Sequence, residues 1–166
     1  LGENHTYFLP YLMGERSPIN DTNARGTFIG MTMDTTRADL VQAVLEGVAF
    51  AIRDSVEVAR SLGVEISSSK ICGGGAKSEL WKRILANVLN IRLESPASEQ
   101  GPGMGGAMLA AVACGEYPDV KTACEKIVSI TGYEDPDPVL AAKYEKRYLQ
   151  FRSIYPALKG IFPQLQ

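Results

Sequence analysis

The sequence is poor in the residues that build metal centres and membrane spans. It has a single histidine, His5, and three cysteines. Cys72, Cys114 and Cys124 lack the spacing of zinc ligands, so we expect no zinc site. An odd number of cysteines without a secretory signal indicates a reducing cytoplasm rather than a disulfide framework. The apolar runs are all shorter than the roughly 18 residues that a membrane span needs.

The chain also lacks an excess of either charge. Its formal net charge is −2, which argues against the basic surface of a nucleic-acid-binding protein. The apolar share of 45% and the charged share of 22% are typical of a globular protein. The length fits one ordinary domain or part of one. Because the first residue is leucine and not methionine, we interpret the chain as a fragment.

The most informative segment present is a run of three glycines, Gly73–Gly75, followed by Ala76, Lys77 and Ser78. It comes after residues 70–72, which we predict to be a buried strand, and before a helix predicted at 79–89. A glycine-rich turn between a strand and a helix brings backbone N–H groups close to an anionic ligand. The segment therefore indicates a nucleotide site, and a tight turn without a ligand is the alternative.

Two familiar glycine motifs do not explain this chain. A Walker A loop needs glycines immediately before the Lys-Ser pair and five residues earlier, where this sequence has Ala76 and Ile71, so a P-loop is excluded. The pattern Gly-x-Gly-x-x-Gly at 101–106 fits a dinucleotide fingerprint. Six residues separate it from a strand predicted at 91–94, however, and we do not expect a Rossmann site there.

The rest of the sequence alternates predicted strands and helices. Residues 1–35 have an irregular pattern, apart from a short strand at 27–31. A long helix should follow, with Thr36 as its N-cap, Asp39 completing a capping box and Gly63 ending it. Its apolar residues recur every three or four positions and predict one buried stripe, formed by Val41, Leu45, Val48, Ile52, Val56 and Ala59.

Further helices are predicted at 103–114 and 120–130, and a strand at 91–93. Asp137 and Pro138 suit the N-cap and first position of a final helix. We interpret one face of that helix as packing surface rather than a cofactor box; its residues are Leu140, Tyr144, Tyr148, Phe151 and Tyr155. Alternating elements predict an α/β layer architecture, and the small number of strands indicates an incomplete sheet.

Three blocks of sequence carry a recognisable pattern. The first is Tyr-Leu-Met-Gly-Glu-Arg-Ser-Pro at 11–18, followed by Asn-Asp-x-Asn-Ala-Arg-Gly at 20–26. The second is Gly-Thr-Phe-Ile-Gly-Met at 26–31 and, seven residues later, Asp-Leu-x-x-Ala-Val-Leu-Glu at 39–46. The third is Gly-Gly-Gly-Ala-Lys-Ser-x-x-Trp at 73–81, with Glu-Gln-Gly-Pro at 99–102. In their order and spacing these blocks resemble the FGGY family of carbohydrate kinases over nearly the whole chain.

The resemblance implies a fold and an activity. It implies that residues 1–166 are the later, incomplete part of the C-terminal ATP-binding domain of a ribonuclease-H-like (actin-like ATPase) α/β enzyme. The implied cofactors are ATP and Mg²⁺, and the implied partners are a small-molecule sugar and the missing N-terminal domain of the same chain. The catalytic aspartate and main sugar contacts would lie upstream of Leu1, so no catalytic residue is assigned here. No nucleic-acid or membrane partner is expected, and a homodimer is left open.

Within the family, the first two blocks and residues 47–54 look most like those of xylulose kinases. That likeness implies ATP-dependent phosphorylation of D-xylulose to D-xylulose 5-phosphate by the parent enzyme, in the cytoplasm. Gluconate kinases or other sugar kinases of the family remain the alternative. An isolated folded module without activity is a second alternative.

The resemblance also implies a set of nucleotide contacts. Gly74, Gly75 and Ala76 would let the backbone approach the adenosine and α-phosphate region. Lys77 would approach a phosphate, or would simply be solvated. Glu79 would face the adenine; alternatively, it is only a favourable charge in the first turn of a helix.

The neighbouring polar residues have structural interpretations. We expect Ser78 to cap the helix rather than to bind a ligand, and Trp81 to lie in the core. Arg16, Asp21 and Arg25 share a polar loop, where we expect an Arg–Asp network; a contact that orders on closure of the cleft is the alternative. An aspartate in such a loop is usually a turn former and not a catalytic base.

Overall fold

The computed structural model describes residues 1–98 and 101–165, so Glu99 and Gln100 of the third block lie outside the described residues. Strands and helices follow in mixed order, which confirms the predicted α/β class. The elements are β1 (Tyr7–Leu9), β2 (Thr27–Ile29), α1 (Arg37–Ser61), β3 (Ser68–Lys70), a 3₁₀ turn (Gly74–Lys77), α2 (Glu79–Leu89), β4 (Arg92–Pro96), α3 (Gly101–Ala113), α4 (Val120–Ile127), β5 (Ile130–Glu134), α5 (Pro138–Leu158) and a 3₁₀ turn (Phe162–Leu165).

The strands form two small sheets. β1 and β2 pair antiparallel as a two-stranded ribbon. β3, β4 and β5 form a sheet in that order, in which β3 and β4 are parallel and β4 and β5 antiparallel. None of the helices in the described part of the chain is long and apolar enough to cross a membrane.

The predicted helix caps are confirmed. Thr36 and Asp39 form a reciprocal capping box at the start of α1. The Asp137 carboxylate accepts hydrogen bonds from two backbone N–H groups at the start of α5. At the end of α1, Gly63 has a φ of +84°, and the N–H groups of Gly63 and Val64 donate back into the last turn, as in a Schellman motif. These local signals therefore set the helix ends.

The core lies where α1, α2 and α5 meet. The predicted face of α5 is confirmed as packing surface, because its aromatic rings surround Phe50 of α1. The ring centroids of Tyr144, Tyr148 and Phe151 lie 6.1, 6.1 and 5.2 Å from that of Phe50. In α2, residues 84–89 are all buried, so this helix enters the core with its second half.

The predicted buried stripe of α1 is wrong in part: Leu45 and Val56 pack partly buried against the core, but none of the six predicted residues is fully buried. Val41 is 54% exposed and Ile52 40% exposed. The buried positions lie on another face and include two charged residues; they are Ala43, Glu46, Gly47, Ala49, Phe50 and Arg53. The charged members can be buried because Arg147 pairs with Glu46, and Glu57 and Glu145 pair with Arg53.

Three strand predictions also need correction. β1 forms within the segment interpreted as irregular, because β2 pairs with it. The helix predicted at 120–130 ends at Ile127, and residues 130–134 form β5 because β4 offers a pairing edge. β3 begins two residues before the strand predicted at 70–72 and is exposed at all three positions, since it lies at the edge of the described sheet.

Candidate functional site

The glycine-rich segment at 73–78 and the one that starts at Gly101 meet at the carboxyl ends of β3 and β4 in the three-stranded sheet. β3 and β4 are parallel, so their carboxyl ends lie on the same side. After β3 the Ile71 N–H still donates to the Glu94 carbonyl, at 2.9 Å. At the next position the thiol of Cys72 packs against Gly101, the first residue of α3, where a Cβ would lie 3.1 Å from the sulfur. Ligands of α/β proteins bind outside the carboxyl ends of strands.

The turn from Gly73 to Ser78 is built by its own backbone. Gly73 has a φ of +86°, a conformation that residues with a side chain rarely adopt. The Ala76 N–H donates to the Gly73 carbonyl and the Ser78 N–H to the Gly75 carbonyl, each at 3.1 Å. The Ser78 hydroxyl accepts from the Trp81 N–H at 3.2 Å, which confirms Ser78 as the N-cap of α2.

The three glycines of the turn face different surroundings. Among the described residues, a Cβ on Gly73 or Gly74 would meet no atom within 4 Å. A Cβ on Gly75 would lie 3.1 Å from both Cδ1 and Nε1 of Trp81. The positive φ belongs to Gly73 and not to Gly75. The outer surface of the turn is thus open at its first two glycines, and the third faces a side chain.

The charged residues of the turn lie on its outer side. Lys77 is exposed at the end of the 3₁₀ turn. The side chain of Glu79 is 81% exposed, and its carboxylate pairs with the Lys82 ammonium at 2.7 Å. Glu79 also lines an open cleft of about 490 Å³ that runs along one face of α2, past Arg83 and Asn87, to residues 134–137. A carboxylate there suits a hydrogen-bond donor such as an amino group and repels phosphate.

The polar loop before α1 differs from the expected Arg–Asp network. The Asp21 carboxylate accepts from the Tyr155 hydroxyl at 2.7 Å and from the Asn23 N–H at 2.8 Å. Arg25 donates instead to two backbone carbonyls of its own loop. The hydrogen bond from Tyr155 lowers the pKa of Asp21, and burial together with Asp21 raises the pKa of Tyr155 to about 12. Asp21 is therefore a structural turn residue tied to α5.

Sequence reasoning missed one contact of the turn. It placed Trp81 in the core, and the indole does pack partly buried against the core cluster. The same ring lies against Gly75. The spacing from Ser78 to Trp81 predicts a helix cap, but only the backbone of the turn shows which atoms the ring touches. Among residues 1–98 and 101–165, no group of His, Cys, Asp or Glu side chains is arranged to hold a metal ion.

Comparisons with known proteins agree on one family. The model of the FGGY family of carbohydrate kinases, C-terminal domain, matches residues 2–114. The xylulose kinase of Staphylococcus epidermidis is 34% identical over 165 residues, which are 99% of this chain and 33% of that protein.

Solved structures give the same result. A ligand-bound xylulose kinase from Lactobacillus acidophilus has a TM-score of 0.92 at 28% identity, over 99% of this chain and 34% of its own. A gluconate kinase from the same organism has a TM-score of 0.91, also at 28% identity, over 99% of this chain and 33% of its own. The chain thus spans about a third of the length of these relatives. The expected fold, the C-terminal part of a ribonuclease-H-like, actin-like ATPase domain, is confirmed, and the chain belongs to the FGGY family of carbohydrate kinases.

Proposed function

We propose that this chain is the later part of the ATP-binding domain of a kinase that converts D-xylulose to D-xylulose 5-phosphate. The observation that carries the proposal is the glycine turn at 73–78. It lies at the carboxyl ends of two parallel strands, and its outer surface is open at Gly73 and Gly74. Membership of a carbohydrate kinase family and the likeness to xylulose kinases support the choice of reaction.

The proposed nucleotide contacts are those of the turn and of the first turn of α2. The backbone of Gly74, Gly75 and Ala76 approaches the adenosine and α-phosphate, and the N-terminal end of α2 favours the negative charge. Lys77 approaches a phosphate. Glu79, with its exposed carboxylate beside the open cleft, accepts a hydrogen bond from the adenine amino group.

In this reaction the chain's own residues bind and orient the nucleotide. Phosphoryl transfer depends mostly on positioning the groups and neutralising charge. Mg²⁺, bound with ATP, neutralises phosphate charge during transfer. A base is not proposed within this chain, because Asp21 is already engaged by Tyr155 and a backbone N–H.

The substrate is tested with the full-length protein that carries this chain. We expect turnover of D-xylulose with ATP and Mg²⁺ to exceed turnover of gluconate and of glycerol. A gluconate kinase is the second candidate, since a solved gluconate kinase has a TM-score of 0.91 with this chain. Much faster turnover of gluconate or glycerol would show that the proposed substrate is wrong.

The nucleotide contact is tested at Gly74. A Cβ there would meet no atom of the described residues within 4 Å, its two chain neighbours apart, so we expect a valine to change stability little and to collide with a ligand. We expect Gly74→Val to raise the KM for ATP at least about tenfold, equivalent to about 1.4 kcal/mol, with little change in the KM for the sugar. Gly160→Val is the matched control, because Gly160 is equally open and lies beyond α5. An unchanged KM for ATP in Gly74→Val would remove the turn from the nucleotide site.

A further inference from the structure

The indole of Trp81 lies directly against the backbone of the nucleotide turn. A Cβ on Gly75 would lie 3.1 Å from both Cδ1 and Nε1 of the ring. Ordinary contacts of a Cβ are 3.4–4 Å, so even alanine would require the ring or the turn to move by a few tenths of an ångström. The same construction at Gly73 and Gly74 meets open space. Of the three glycines, therefore, only Gly75 is restricted to glycine by a neighbouring side chain, that of Trp81.

Trp81 is tied to the turn by its backbone as well as by its ring. Its N–H donates to the Ser78 hydroxyl at 3.2 Å, and the Ser78 N–H donates to the Gly75 carbonyl at 3.1 Å. The side chain of Trp81 also packs, partly buried, against the core cluster, which α2 enters at residues 84–89. The turn therefore rests on a ring whose own position is fixed by the core.

We infer that Trp81 is a positioning residue for the nucleotide turn, and that position 75 is glycine to admit the indole rather than the ligand. The inference rests on the proposed nucleotide site. It deepens that proposal, because it distinguishes Gly73 and Gly74, where a side chain would point into open space on the ligand side, from Gly75, where the missing side chain leaves room for Trp81 while the peptide backbone still approaches the nucleotide. Support of this kind holds the turn in its binding conformation before the nucleotide arrives, which lowers the cost of binding.

A double-mutant cycle in the full-length protein tests the inference. The variants are Gly75→Ala, Trp81→Ala and the double variant, with the dissociation constant of MgATP measured by calorimetry. We expect Gly75→Ala to weaken MgATP binding about tenfold in the wild-type background. In the Trp81→Ala background it should weaken binding less than about twofold, because the new methyl group enters the space that the ring has left. Trp81→Phe, which keeps a ring, should bind MgATP nearly as well as the wild type.

A second measurement uses the same protein without nucleotide and does not depend on Trp81→Ala folding. Hydrogen exchange of peptides covering residues 73–78 should become faster in Gly75→Ala, because the turn is displaced from the ring. Gly74→Ala is the matched control and should leave exchange unchanged, since its methyl group meets open space.

Two results would overturn the inference. One is an equal loss of MgATP affinity from Gly75→Ala in both backgrounds; the other is unchanged exchange at 73–78 in Gly75→Ala. Equal losses would mean that the added methyl group meets the ligand and not the indole, and unchanged exchange would mean that Trp81 does not hold the turn. A failure of the proposed function is distinguishable, because the wild-type protein would then bind no MgATP, while the exchange comparison would still decide whether Trp81 supports the turn.

Discussion

The ion pair between Glu46 of α1 and Arg147 of α5 offers a sharp test of what holds the domain together. The two side chains are 1% and 6% exposed, and their nearest atoms are 2.8 Å apart. The Glu46 carboxylate also accepts from Gln42 at 2.7 Å and from the Tyr144 hydroxyl at 2.9 Å. The guanidinium lies 4.4 Å from the centroid of the Tyr7 ring. The pair thus joins both helices to the strand β1.

We expect Arg147→Met to lower the free energy of unfolding by about 3–5 kcal/mol, because it leaves the Glu46 carboxylate buried without a cation. We expect the lower end of that range, because Nε of Arg147 is buried without a hydrogen-bond partner among the described residues. Replacing the arginine removes the cost of burying that unpaired donor and so offsets part of the destabilisation. In the double variant Glu46→Gln, Arg147→Met both charges are gone, and the amide still accepts from Gln42 and Tyr144. The double variant should therefore be at least about 2 kcal/mol more stable than Arg147→Met alone.

Equilibrium urea unfolding of the full-length protein measures all three species. Glu46→Gln alone supplies the fourth corner of the cycle. A loss below about 1 kcal/mol for Arg147→Met, well under the cost of breaking a buried pair, would mean that the carboxylate is not as enclosed as its contacts indicate. A double variant as unstable as the sum of the single ones would mean that the two charges act independently.

Other regions give further predictions. Gly47→Ala should cost about 3 kcal/mol or more in thermal unfolding, because its Cβ would lie 2.1 Å from the Phe8 carbonyl oxygen; Gly105→Ala, where the space is open, should cost nothing. Tyr155→Phe should be less stable than the wild type at neutral pH. The hydrogen bond from Tyr155 lowers the pKa of Asp21, so it stabilises the fold above the unfolded pKa of about 4, and this stabilisation is lost as the pH falls through the folded pKa. The stability difference between Tyr155→Phe and the wild type should therefore be smaller at pH 3 than at pH 7, and an equal difference at the two pH values would contradict this. The 166-residue chain alone should phosphorylate no D-xylulose, and measurable turnover would refute that expectation.

The sequence predicted best those features whose cause lies within a few residues. Thr36, Ser78 and Asp137 were assigned as caps because a cap needs only its own side chain and the next turn of backbone, and the structure confirms all three. The glycine turn was located for the same reason. Its position after a strand and before a helix follows from the order of residues along the chain.

The failures concern contacts between distant parts of the chain. The apolar period of α1 predicted the wrong buried face, because it gave no account of buried charges. Glu46 and Arg53 each have a charged partner on α5, 101 and 92 residues away. β5 was not predicted, and its first residue, Ile130, was placed at the end of a predicted helix, because its strand character depends on pairing with β4 and pairing partners are not visible in a local pattern.

The same distinction applies within the sequence blocks that identified the family. Glu46 ends the second block, yet its surroundings are a buried hydrogen-bond network with α5, and Gly47 beside it is required by the approach of β1 to α1. In the third block, Gly75 and Trp81 contact each other, whereas the outer surface of Gly73 and Gly74 is open. In the proposed nucleotide site, the third block therefore combines residues that would face the ligand with residues that hold the backbone of the turn in place. The two kinds of residue differ in what an added side chain would meet. At Gly74, where the space is open, a substitution should change only the affinity for the nucleotide. At Gly75, where Trp81 occupies the space, a substitution should change the conformation of the turn even when no nucleotide is present.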